Sequence, residues 1–165
     1  MTLNRRKTLA LLGGGFIVAA GSGAYAVSRP PQTAMAPWAA AGAYSDIRKR
    51  ALSYAVLAPN PHNRQPWLVD LSKPGKATLL VDTDRLLPHT DPFSRQIVVG
   101  LGCFLEVMAL AAAQDGYDTK IDLFPKGEDP DRLDKRPVAV IEFIENTGLA
   151  EPALFDQVQN RRSLK

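Results

Sequence analysis

Apolar residues recur along this chain with two different periods, and the switches between them mark the elements. Ile47, Ala51, Tyr54 and Ala55 fall at helical spacing. They give one apolar face to a helix running from Asp46 to about Leu57. Ser45 is the expected cap, since its hydroxyl can accept a free N–H of the first turn. Trp67 to Leu71 and Ala77 to Val81 predict two strands around a turn at Lys73-Pro74-Gly75. Ile97, Leu101, Phe104, Leu105, Met108 and Ala112 then predict a long helix, from about Phe93 to Asp115, with a wide apolar face. Thr90 or Asp91 would cap it, Pro92 would sit in its first turn and Gly116 would end it. Gly100 and Gly102 lower helix propensity, so they predict another backbone packed closely there. Lys120 to Phe124 and Val138 to Phe143 read as two more strands, separated by a charged loop from Lys126 to Arg136. Pro152 to Gln159 reads as a short final helix. The sum is an α+β architecture, with helices packed on a small sheet.

Composition narrows the function. The chain has 165 residues, 45% of them apolar, which suits one domain with a real core plus a tail. Its formal charge of +3 equals the charge of Arg5, Arg6 and Lys7 alone. The remainder is balanced, with no general nucleic-acid footprint. Cys103 is the single cysteine, which excludes an intrachain disulfide or a cysteine metal cluster.

The N-terminus reads as an export signal over residues 1–26. Asn4 to Leu9 is a basic segment, Leu9 to Ala20 is apolar, and Ala24-Tyr25-Ala26 offers small residues to a signal peptidase. Arg5-Arg6 with Leu9 resembles a twin-arginine signal, although Thr8 stands where that pattern usually has Phe. The glycines at 13–15 dilute the apolar run and argue against a robust membrane span. The alternative is an uncleaved N-terminal anchor, the only membrane association expected. A lipid anchor is excluded because no cysteine follows. The expected location is the periplasm or cell envelope. Residues 27–44, rich in Pro and Ala, read as a linker before a domain over 45–160.

Side-chain catalysts are scarce. His62 and His89 show no metal-like spacing and read as polar loop residues, and Cys103 reads as packing on a buried helix. Asp82, Asp84 and Asp91 read as turn and cap residues rather than a metal site. The informative stretch is Ala58 to Trp67. Pro59 and Pro61 stiffen it, while Asn60, Asn63 and Gln65 bring amides. Pro66 is expected to push Gln65 into an extended conformation leading into the strand. A stiff loop bearing amides suits a planar, polar ligand. A cofactor such as a flavin would supply its own redox chemistry, leaving the protein to orient it.

Pro59-Asn60-Pro61-His62-Asn63-Arg64-Gln65-Pro66-Trp67 resembles the P-S-x-x-N-x-Q-P-W element of the FMN-dependent nitroreductase superfamily. Asp91-Pro92-Phe93-Ser94-Arg95-Gln96, with the preceding loop from Arg85, resembles its Acg-type branch. The resemblance implies a nitroreductase-like α+β fold, with a small, mainly antiparallel sheet around a long central helix, as an incomplete domain. It implies an FMN cofactor and electron transfer from reduced flavin between a small-molecule donor and acceptor. Pro59, Asn60, Pro61, Asn63 and Gln65 would meet the flavin ring, although Asn60 and Pro61 replace the usual small hydroxyl residues. Trp67 is expected in the core. Arg161-Arg162-Ser163-Leu164-Lys165 resembles the R-x-S-x-[RK] element that opens a nitroreductase domain. Arg161, Arg162, Ser163 and Lys165 would then grip the phosphate; without the resemblance they read as an exposed basic tail. Residues 161–165 would begin a second, truncated half, so a second half-domain or a homodimer is the expected partner. The alternative is a non-catalytic flavin-binding or degenerate exported module.

Overall fold

The computed structural model describes residues 18–29 and 32–161. The chain separates into two compact units, Met1–Ala36 and Pro37–Lys165. In the first, residues 18–28 form helix α1, exposed along its length. The basic segment from Asn4 to Leu9 and the start of the apolar run lie outside the described residues. Helix α2, Gln32–Ala40, occupies much of the stretch read as a linker. Alanines at 34, 36, 39 and 40 favour helix, and Pro37 lies inside it.

Helix α3 spans Ile47–Ala55, with Ala51 and Ala55 fully buried. Its cap is Asp46 rather than Ser45. The Asp46 carboxylate accepts the Arg48 N–H at 2.9 Å, and a carboxylate is the stronger acceptor at a helix N-terminus. The Arg48 guanidinium meets the same carboxylate at 2.7 Å. It also donates to the carbonyls of Leu71, Lys73 and Lys76 at 3.0, 2.9 and 3.2 Å. The start of α3 is thereby tied to the turn between the first two strands.

That hydrogen bond from the Arg48 side chain holds the Asp46 carboxyl down at about 2, below the ordinary value of about 3.9. A depressed folded value means the stability is present above the unfolded pKa and lost as pH falls through the folded one. Wild-type stability should therefore decline between roughly pH 4 and pH 2, with a component missing in Asp46→Asn. At neutral pH that variant should be less stable by about 1 kcal/mol, a modest figure because Asp46 is partly solvated. Urea melts across this range check both statements.

The sheet has four strands: β1 (Trp67–Asp70), β2 (Lys76–Val81), β3 (Tyr117–Leu123) and β4 (Ala139–Glu145). They lie in the order β1-β2-β4-β3, and every neighbouring pair is antiparallel. Register places Val69 opposite Leu79, Leu79 opposite Ala139, and Ile121 opposite Ile141. One face is therefore apolar across the sheet, with Ala77, Leu79, Val81, Ala139, Ile141 and Phe143 buried. β3 begins earlier than the expected Lys120, because the half-buried Tyr117 and Thr119 continue its period of two.

Helix α4, Arg95–Gln114, belongs to the same core and buries all six residues of the expected face. Trp67 packs on Phe104, ring centroids 4.9 Å apart, as expected of a core residue. The helix starts later than the expected Phe93, and Pro92 lies before its first turn. Its N-cap, Ser94, is left-handed at φ 54° and gives no side-chain cap bond. The capping bond comes instead from the buried carboxylate of Asp91, which accepts the Ile97 N–H at 3.0 Å. Gly116, at φ 78°, ends the region as expected, its N–H bonding the Ala113 carbonyl at 3.0 Å. The final helix, α5, covers only Gln157–Asn160. Ahead of it the chain makes tight turns, with Phe155 N–H on the Pro152 carbonyl at 2.9 Å.

Candidate functional site

Gly100 joins the long helix to the loop at 58–66. A Cβ there would lie 3.1 Å from Pro61 Cδ and 3.5 Å from Asn60 Cα. The close approach expected from the helix glycines is thus real at Gly100. At Gly102 it is absent: a Cβ would meet nothing within 4 Å. Pro61 lies in the contact with α4 and lines a cleft with Gln96, Val99 and Cys103.

The loop is bent more sharply than its prolines alone require. His62, Asn63 and Gln65 have φ values of 50°, 51° and 49°, a region costly for residues with a Cβ. The expectation of an extended Gln65 is therefore wrong. Its N–H is drawn back to the Asn60 carboxamide oxygen at 2.8 Å, and the residue turns left-handed to reach it. The Asn60 amide nitrogen donates to the Ala58 carbonyl at 3.3 Å. Asn60 thus spends much of its bonding capacity inside the loop.

A reciprocal arginine clasp holds the far side. Arg64 donates to the carbonyls of Arg85 and Asp84 at 2.9 and 3.1 Å. Arg85 donates back to the Arg64 carbonyl at 3.0 Å and pairs with Asp82 at 3.1 Å. Three of these bonds end on backbone carbonyls, which have no signature in a sequence. Asp82 and Asp84 serve this turn, as expected of turn residues.

Beside the loop lies a cavity of about 610 Å³, within the usual range for cofactor sites. Pro59, Asn60, His62, Asn63 and Gln65 form one part of its lining, and Val56, Leu57 and Ala58 form an apolar part. Arg161 reaches the same cavity from the end of α5, where its guanidinium donates to the Leu57 carbonyl. The structure therefore gathers Pro59, Asn60, Asn63, Gln65 and Arg161 around one space. Pro61 faces α4 instead. Arg162, Ser163 and Lys165 lie outside the described residues. Five lining residues lie outside the expected set: the apolar Val56, Leu57 and Ala58, then His62, which reads as an ordinary loop residue, and Trp38, in a stretch that reads as linker. A lone tryptophan among alanines and prolines is the available signal for Trp38.

The cavity suits a flat, polar, anionic group: carboxamides and an imidazole on one side, aliphatic carbons on another, and a guanidinium at hand.

No protein-family model matches the chain. Relatives do. A Mycobacterium tuberculosis protein named as an NAD(P)H nitroreductase, acg, is 31% identical over 100 residues, covering 61% of this chain and 30% of that protein. A second M. tuberculosis protein so named is 33% identical over 81 residues, covering 49% and 23% respectively. The matched part of the chain thus spans less than a third of either relative's length. A solved nitroreductase-family protein from Streptococcus pneumoniae TIGR4 superposes over 67% of this chain and 84% of that one, with 17% identity and a TM-score of 0.44.

Proposed function

We propose that this chain is a nitroreductase-like FMN-dependent oxidoreductase, or the N-terminal portion of one, of the Acg type. The observation that carries the proposal is the meeting of the amide-bearing loop with Arg161 at a single cavity. The similarity to proteins named as NAD(P)H nitroreductases agrees with it. Bound FMN would supply the electron transfer between a small-molecule donor, such as NAD(P)H, and an acceptor. The chain's own part is to hold and orient. Asn63 and Asn60 would meet the ring edge, with Pro59, Pro61 and Gln65 shaping the loop that presents them. Arg161, Arg162, Ser163 and Lys165 would hold the phosphate, arginine pairing bidentately with its oxygens. A second half-domain or a second copy would complete the site, and the N-terminal signal would export the protein to the periplasm or envelope.

Arg161→Ala tests the phosphate grip. Loss of a charge-assisted bond should weaken FMN binding by about tenfold or more. Riboflavin, which lacks the phosphate, should bind both proteins alike. Equal loss for both ligands would remove Arg161 from the phosphate site. Steady-state oxidation of NAD(P)H with a nitroaromatic acceptor tests the activity. Bound FMN without turnover would favour a flavin-sequestering module instead.

A further inference from the structure

Trp38 is half-buried, whereas every other residue of α2 is exposed. What it shares is the cavity wall, with Asn60, Asn63 and Arg161. The segment carrying it is anchored on α3. The Gly42 N–H donates to the Ser53 hydroxyl at 2.8 Å, and that hydroxyl donates to the Arg50 carbonyl at 2.6 Å. Gly42 is left-handed at φ 81°, and a Cβ there would lie 2.4 Å from the Tyr54 hydroxyl. Only glycine fits this position without a shift. The Tyr54 ring in turn meets Phe155 edge-on at 5.0 Å, in the turn that leads to Arg161. The segments bearing Trp38 and Arg161 thus both pack on Tyr54.

We infer that Trp38 is the stacking wall of this cavity, that it recognises the flat heteroaromatic ring of the ligand, and that Gly42 seats it there. A small aliphatic residue would close a cavity wall equally well. An indole adds a broad polarisable face, and heteroaromatic rings stack on such faces with little regard to their substituents. The inference rests on the flavin reading and deepens it, because a loop of amides recognises a ring edge and leaves the ring face unassigned.

The test is a titration of the 165-residue chain with FMN, following binding and the emission of the bound flavin. Wild type should bind FMN with its emission quenched, since an indole in contact is an efficient electron donor to an excited flavin. Trp38→Leu should weaken binding about tenfold and brighten the bound flavin. Trp38→Phe should retain part of the affinity. Gly42→Ala should weaken binding with the indole still present. Gly75→Ala alters a glycine with a similar backbone, φ 68°, but empty surroundings, and should leave binding unchanged. Trp38→Leu binding as tightly as wild type with equally dim flavin would overturn the inference. So would Gly42→Ala matching Gly75→Ala. Either result leaves the flavin reading standing, whereas no FMN uptake by wild type removes both.

Discussion

Gly100→Val should destabilise the protein by about 2 kcal/mol and distort the ligand loop, while Gly102→Val should not. The two glycines are two residues apart in one helix, so a propensity argument treats them alike. Valine is slightly better than glycine in a helix interior, by a few tenths of a kcal/mol. At Gly102 that gain is all there is, because a Cβ meets nothing within 4 Å. At Gly100 a Cβ would press on Pro61 Cδ at 3.1 Å and on Asn60 Cβ at 3.4 Å. The first belongs to a proline ring, and the second is bonded directly to the Asn60 Cα, itself only 3.5 Å away, so both yield less than the end of a flexible side chain. Two further methyl groups make the contact overpacked, which typically costs about 1–3 kcal/mol. Because Asn60 also fixes Gln65, the disturbance should spread to the cavity and reduce FMN uptake. Urea unfolding of both variants checks the difference. Equal stability would mean that the helix and loop do not meet as described.

Phe104→Ala should cost more, about 3–5 kcal/mol. Phe104 is 1% exposed and has Trp67 against its ring. Removing it leaves a cavity between the helix and the sheet that backbone atoms on both sides cannot close. Domains of this size have only about 5–15 kcal/mol of stability in total, so the variant should be near the limit of folding. The site should suffer with it, because Trp67 opens β1 directly after the ligand loop. A fall of under 1 kcal/mol in urea unfolding would contradict the assignment of Phe104 to the centre of the core.

The fold was largely legible because its elements are strongly periodic. The α4 face from Ile97 to Ala112 and the alternation in β2 and β4 each bury one side only, and such patterns have few solutions. What went unread depended on contacts distant in sequence or on competition among neighbours. Ser45 and Asp46 are both good caps, and Arg48 decided between them by pairing with the aspartate. Thr90 and Asp91 both read as caps, and the reach of Asp91 across the turn to Ile97 has no sequence signature. Gln65 precedes a proline, which normally favours extended backbone, yet the Asn60 carboxamide overrode that preference. The candidate site was legible as a loop and a terminal arginine, with nothing in either segment to show that they meet. Trp38 joins them from a stretch whose alanines and prolines read as a linker.

The measurement that bears most directly on the central claim is an equilibrium titration of the purified chain with FMN, read by the visible flavin absorbance and by dialysis. Saturable uptake at one site, weakened by Arg161→Ala for FMN and not for riboflavin, is the predicted result. Absence of any saturable FMN binding, with the chain folded and its urea transition intact, would contradict it.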